Sequence, residues 1–186
     1  MMKFLKSFYL TDRFFHIIWS FAALFLISGF IKFLYYPLIV LFLICVLLFF
    51  LEIILVYFNS GIEAGRNVPE KLSNGDENQI TINVVNNYKF QSFLTIFDEI
   101  PEIFQIRDFK IHSNLNPGES KIYNYNLLPK KRGEYQFGKL NIFVSTKIGF
   151  IQRRYIFSNE GTAKVYPSII SMKNYEFKAF SNKITD

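Results

Sequence analysis

Three groups of side chains in this 186-residue sequence have types and spacings suited to chemistry. The first is acidic. Asp98, Glu99 and Glu102 cluster near a Pro-containing break at Pro101. Neighbouring carboxylates can serve as general acid and base, or hold a cation. That keeps a membrane-tethered hydrolase among the readings, beside the plainer one of a solvated loop between strands. The second group is basic. Lys130-Lys131-Arg132 and Arg153-Arg154 suit anionic lipid headgroups, an acidic partner protein or a solubilising rim. Arg153 shares its strand phase with Ile151, Tyr155 and Phe157, so it is expected to point inward, as charges guarding an edge strand do. The third group is His16 and Glu52, titratable residues inside long apolar runs. They read either as an intramembrane pair joining two helices or as two groups reaching the water interface. His112 reads as a surface residue at a strand end.

Several chemistries are excluded. Gly61-x-x-x-Gly65 is not followed by Lys, and no Ser elbow, His-Glu-x-x-His or paired Cys occurs. One Cys and two His rule out a disulfide framework and argue against a Cys/His zinc site. The sequence therefore offers no catalytic set, no metal site and no cofactor. At 51% apolar and 19% aromatic, the chain is not disordered. Its net charge of +6 is not gathered into a basic stripe, so nucleic acid is not an expected partner.

The elements that must position these groups begin with two apolar runs, 14–31 and 38–58. At 1.5 Å per residue they reach roughly 27 and 31 Å, against a hydrocarbon core of about 30 Å. The short connection, with Tyr35, Tyr36 and Pro37, predicts an antiparallel transmembrane hairpin. A cleaved signal peptide fits the basic start, but no cleavage site follows and a second run comes at once. Lys3, Lys6, Arg13, Arg66 and Lys71 flank the outer ends, against Lys32 in the connection. The positive-inside rule then puts both termini and the soluble part in the cytoplasm.

Residues 1–13 read as a basic cytoplasmic N-terminus and 59–78 as a polar linker. From 79 to 167 the pattern alternates with period two, in seven short strands separated by turn signals. One of them runs over 135–146, and its phase flips at Gly138, which suggests a bulge. This predicts an antiparallel β-sandwich of immunoglobulin-like type. Gly133-x-Tyr135 has the form of a tyrosine corner. Residues 168–186 carry no strong pattern.

The order of motifs resembles a known family. After the apolar hairpin come Arg66-x-x-Pro69, Gly75, a strand ending in Asn86, and Asp98-x-x-Pro101. Arg132-Gly133-x-Tyr135-x-x-Gly138, Gly149-Phe150 and Val165-Tyr166-Pro167 follow. The set resembles the N-terminal half of bacterial "domain of unknown function 58" proteins, whose genes usually lie beside those of MoxR-type AAA+ ATPases. The resemblance implies an anchor in the bacterial inner membrane, a β-sandwich beside that membrane, and a von Willebrand factor A-like domain to which 168–186 would lead. It implies an interaction or scaffold role in the assembly or maturation of protein complexes, with the bilayer, the ATPase and other membrane or cytoplasmic proteins as partners. It supplies no catalytic residues. Thr146-Lys147-Ile148 stands where many members have Asp-Pro, so the role of that loop is open. The alternative is a complete small envelope adaptor acting through its sandwich.

Overall fold

The structure is a computed structural model and describes residues 6–58, 61–106, 109–158 and 161–168. Two helices come first. Helix α1 (Asp12–Ser28) is capped by Thr11, whose hydroxyl accepts the Phe14 amide, and carries Asp12 in its first turn. It ends three residues before the apolar run does. The amide of Gly29 bonds back to Phe25 and Leu26, and the chain turns there. A 3₁₀ turn, Lys32–Leu34, leads into α2 (Tyr35–Phe58). Pro37 falls in the first turn of α2, where a missing N–H costs nothing. The helices run in opposite directions, with Phe14 against Phe49, Phe21 against Phe42 and Phe25 against Tyr35.

Lys32–Phe58 is long and apolar enough to cross a membrane. It is the one helix among the described residues that is. The sequence led us to expect two spans; the first apolar run spends its last residues on a turn and leaves a helix of 17 residues.

The rest of the described chain is an antiparallel β-sandwich of immunoglobulin-like type. One sheet has five strands in the order β1 (Phe8–Leu10), β10 (Ile151–Phe157), β9 (Leu140–Ser145), β5 (Ser92–Asp98) and β6 (Lys110–Leu115). A second joins β2 (Ile62–Asn67), β4 (Asn78–Asn86) and β7 (Ser120–Leu127). A third joins β3 (Lys71–Ser73), β11 (Gly161–Tyr166) and β8 (Gly133–Phe137), with β3 and β11 parallel. Alternation does the sorting. Ile82 and Val84 of β4 face Leu94 and Ile96 of β5 and Ile142 and Val144 of β9 across the main core, while Ile80 belongs to a smaller core with Leu72, Leu127 and Phe137. Polar residues end two inward rows: Asn86 on β4, Asp98 on β5.

Four expectations are corrected. The linker over 59–78 contains β2 and β3; Glu63, Arg66 and Asn67 masked the alternation of β2. The N-terminal segment contains β1. The expected single strand over 135–146 is two strands in different sheets, and the phase flip at Gly138 marks the crossing. A Cβ on Gly138 would lie 2.5 Å from a Glu99 carboxylate oxygen, so glycine lets the chain cross there. Strand β10 is not an edge, because β1 covers it. The expected lead-in beyond Ser168 lies outside the described residues.

Candidate functional site

The helices and the sandwich meet at a dense polar joint. Its centre is Glu52, fully buried on α2. The loop between β9 and β10 wraps the carboxylate. Thr146 Oγ1 donates to Oε1 at 2.5 Å, the Gly149 amide donates to Oε1 at 3.0 Å, and the Phe150 amide donates to Oε2 at 2.9 Å. Thr146 also accepts the Ile148 amide, which closes the loop on itself. Gly149 has φ +72°, and a Cβ there would sit 3.3 Å from an Arg13 guanidinium nitrogen. The positive φ calls for glycine. A buried carboxylate is tolerated only when its lone pairs are met, and here charge-assisted bonds from backbone amides meet them.

The start of α1 is tied to the same loop. The Thr11 amide donates to the Phe150 carbonyl at 3.0 Å, and its hydroxyl lies 2.5 Å from the Gly149 carbonyl. Strand β1, just before Thr11, pairs with β10 in the register Phe8–Arg153, Tyr9–Gln152 and Leu10–Ile151.

The end of α2 is fixed in turn. Helix C-terminal carbonyls have no partner within the helix. That of Val56 accepts from Arg153 Nη1 and from the Tyr88 hydroxyl, each at 2.8 Å. Tyr155 lies 2.6 Å from Tyr88, oxygen to oxygen. Burial pushes both phenols up from their ordinary value, so both stay protonated. The Arg153 guanidinium lies over the Tyr57 ring at 4.8 Å and the Tyr155 ring at 4.6 Å. A cation here also complements the helix dipole. Val56, Phe150 and Ile151 form the apolar centre of the joint.

His16 and Glu52 do not pair. His16 is exposed and its Nδ1 lies 2.6 Å from the Asp12 carbonyl, while Glu52 faces the loop. Periodicity places both near one end of the helices but cannot reveal the third element between them.

A second cluster gathers several residues that the family resemblance singled out. Arg66 and Asp98 form a fully buried ion pair. Arg66 Nη2 donates to the Gly138 carbonyl at 2.8 Å, and the guanidinium stacks 5.0 Å from the Phe137 ring. The Tyr125 hydroxyl donates to Asp98 Oδ2 at 2.6 Å. Burial pushes the Asp98 carboxyl up, against the Tyr125 and Arg66 contacts that pull it down. Glu99 accepts the Lys139 amide and the Asn141 side-chain amide, each at 2.9 Å, and the Lys139 bond leads in holding it below the usual range. Asp98 and Glu99 thus pin the crossing at Gly138, while Glu102 is exposed on a 3₁₀ turn after Pro101.

Tyr135 makes the expected corner, donating to the Lys131 carbonyl at 2.6 Å beside Arg132 and Gly133. Lys130, Lys131 and Arg132 are exposed. Arg153 is engaged at the joint, and Arg154 donates to Asn141 and Tyr9. The basic residues therefore do not act as one surface. Val165 is buried in the smaller core with Leu72, Ala163 and Tyr135, between exposed Lys164 and Tyr166; Pro69 and Pro167 flank β3 and β11. His112 is exposed on β6, its Nδ1 3.1 Å from Thr95 Oγ1. Among the described residues no group of three His, Cys, Asp or Glu could hold a metal ion. Sequence reasoning missed Thr11, Tyr88, Thr146 and Tyr155. Only Thr146 had a signal, as the departure from an Asp-Pro pattern.

No family model and no curated protein matches the chain. Among solved structures it is similar to the ASH/PapD-like domain of human CEP192, at 9% identity and a TM-score of 0.42, over 59% of this chain and 88% of that one. It is also similar to the CARDB domain of a Pyrococcus furiosus protein solved with di-metal ions, at 13% identity and a TM-score of 0.39, over 60% of this chain and 93% of that one. Both likenesses concern the fold alone.

Proposed function

We propose that this chain is a membrane-anchored, non-catalytic interaction module with both ends and the sandwich in the bacterial cytoplasm. Helices α1 and α2 are its transmembrane hairpin. The sandwich is a scaffold that holds a following von Willebrand A-like domain within reach of a MoxR-type AAA+ ATPase, in the assembly or maturation of protein complexes. The family resemblance carries the ATPase. Lys130, Lys131 and Arg132 are the exposed cations offered to lipid headgroups or an acidic partner.

The observation that carries the scaffold reading is the burial of Glu52 under the β9–β10 loop. A flexible tether would leave the sandwich free to tumble; three hydrogen bonds to one helix residue fix its attitude. Large apolar side chains exposed along both helices, Trp19 and Leu26 on α1 and Leu43 and Leu47 on α2 among them, support the anchor. With Glu52 and Val56 against the sandwich, about 17 residues of α2 (Tyr35–Leu51) remain for the bilayer, roughly 25 Å. That sets the base of the sandwich in the headgroup layer.

The test has two parts. A fluorescent protein fused after Asp186 should be bright and alkaline phosphatase inactive; the reverse would put the sandwich outside and remove the ATPase as a direct partner. The detergent-solubilised chain should bind a purified MoxR-type ATPase; no binding with or without ATP sinks that half of the reading and leaves the anchor standing.

A further inference from the structure

Two cavities lie beside the joint, each lined in part by its residues. One, of about 730 Å³, lies at the base of the sandwich and is lined by Tyr9, Asp12, Arg13, Ser145, Lys147 and Gln152, among others. The other, of about 300 Å³, is a wholly apolar groove between α1 and α2, lined by Phe14, Phe21, Phe42, Cys45, Phe49 and neighbours. Two chain segments link their linings. Arg13 of the first precedes Phe14 of the second, and Gly149 of the first precedes Phe150 of the second. Arg13 and Lys147 are exposed, and among the described residues neither is ion-paired.

We infer that these two cavities together take one glycerophospholipid, its phosphate between Arg13 and Lys147 and one acyl chain in the groove. The inference rests on the reading of the helices as a membrane anchor. The guanidinium fork and the ammonium point charge are the two cations that recognise phosphate oxygens. Asp12, on the wall of the same cavity, calls for a headgroup that also donates hydrogen bonds, which selects ethanolamine over choline. The groove runs from Phe14 to Phe21, roughly 10 Å along the helix axis, the upper part of an acyl chain. Ile18 and Phe50 on its lining are exposed, so it opens sideways toward lipid.

Native mass spectrometry of the full chain, delipidated in detergent, tests this with phosphatidylethanolamine, phosphatidylcholine of the same acyl chains, and inorganic phosphate. One phosphatidylethanolamine per chain is expected, with phosphatidylcholine held about fivefold less well. Arg13→Ala and Lys147→Ala should each weaken retention about tenfold, and Lys121→Ala on the far sheet should not. Asp12→Asn should level the two lipids, and Cys45→Trp should fill the groove and expel both. Equal retention of the two lipids by the native chain, indifferent to Arg13→Ala, overturns the site. Displacement by inorganic phosphate with no effect of Cys45→Trp assigns the cations to free phosphate and overturns the lipid. Carbonate extraction separates the two readings: a chain that stays in the membrane yet retains no lipid refutes this site alone, whereas a chain released by carbonate refutes the anchor.

Discussion

Glu52 and Phe150 are 98 positions apart in sequence, yet the amide of one donates to the carboxylate of the other at 2.9 Å. That bond joins the longer helix to the turn between two neighbouring strands. Glu52→Ala strands two buried amides and a hydroxyl, each costing about 1–3 kcal/mol. Hydrogen exchange should show Gly149 and Phe150 losing protection while the amides of β4 and β5 keep theirs. Unchanged protection at the loop would mean that the joint is held by its apolar contacts alone.

Arg153 and Tyr88 share one acceptor, the carbonyl of Val56. Tyr88→Phe should cost about 1 kcal/mol, and Arg153→Ala about 2 kcal/mol, because the arginine also gives up its ring contacts. The double variant should cost measurably more than the sum, since either donor alone still satisfies the carbonyl and only the loss of both leaves it unmet. Thermal unfolding of the four proteins in one detergent closes the cycle. Strict additivity would show that the two bonds are independent.

Arg66→Met should destabilise the sandwich by about 3–5 kcal/mol, because it leaves Asp98 charged and buried. The loss should be smaller at pH 4 than at pH 7. Burial already raises the Asp98 carboxyl above its ordinary value, and removing the cation raises it further, so the folded state takes up a proton as pH falls. Arg66→Met combined with Asp98→Leu should recover most of the stability at pH 7. A double variant no better than the single one would show that the Gly138 and Tyr125 contacts, not charge balance, carry the cluster.

Glu99 gives the opposite pH signature. Its carboxyl lies below the usual glutamate range, so its contribution is present above the unfolded value and is lost as pH falls through the folded one. Glu99→Gln should lower stability on the neutral side and flatten the acid limb of the curve below about pH 4.5, where the two proteins converge. A steeper acid limb in the variant would assign that slope to another carboxylate.

The sandwich was legible because its central strands are half-buried in a simple way. Ile80, Ile82 and Val84 alternate with polar neighbours, and period two says strand. Strand β2 was hidden because its inward row includes Arg66, a charge buried only because Asp98 comes to meet it from 32 positions away. Strand β1 was hidden by its brevity, since three residues carry no period. The joint was half legible. Glu52 stood out as a charge in an apolar run, but its partners are backbone amides, which every residue has and no sequence advertises. His16 looked like the natural partner because side-chain type was the only visible cue.

Strand β1 is made first and its partner β10 among the last, with both helices between them. Contacts of such separation close late, because the loop they seal must be ordered beforehand. Until β9, the loop and β10 exist, Glu52 has no amides to accept and Phe8–Leu10 have no strand to join. The joint therefore reports completion: only a finished sandwich clasps both ends of the helix pair, and a chain stalled before Phe150 carries an unmet carboxylate and a bare strand.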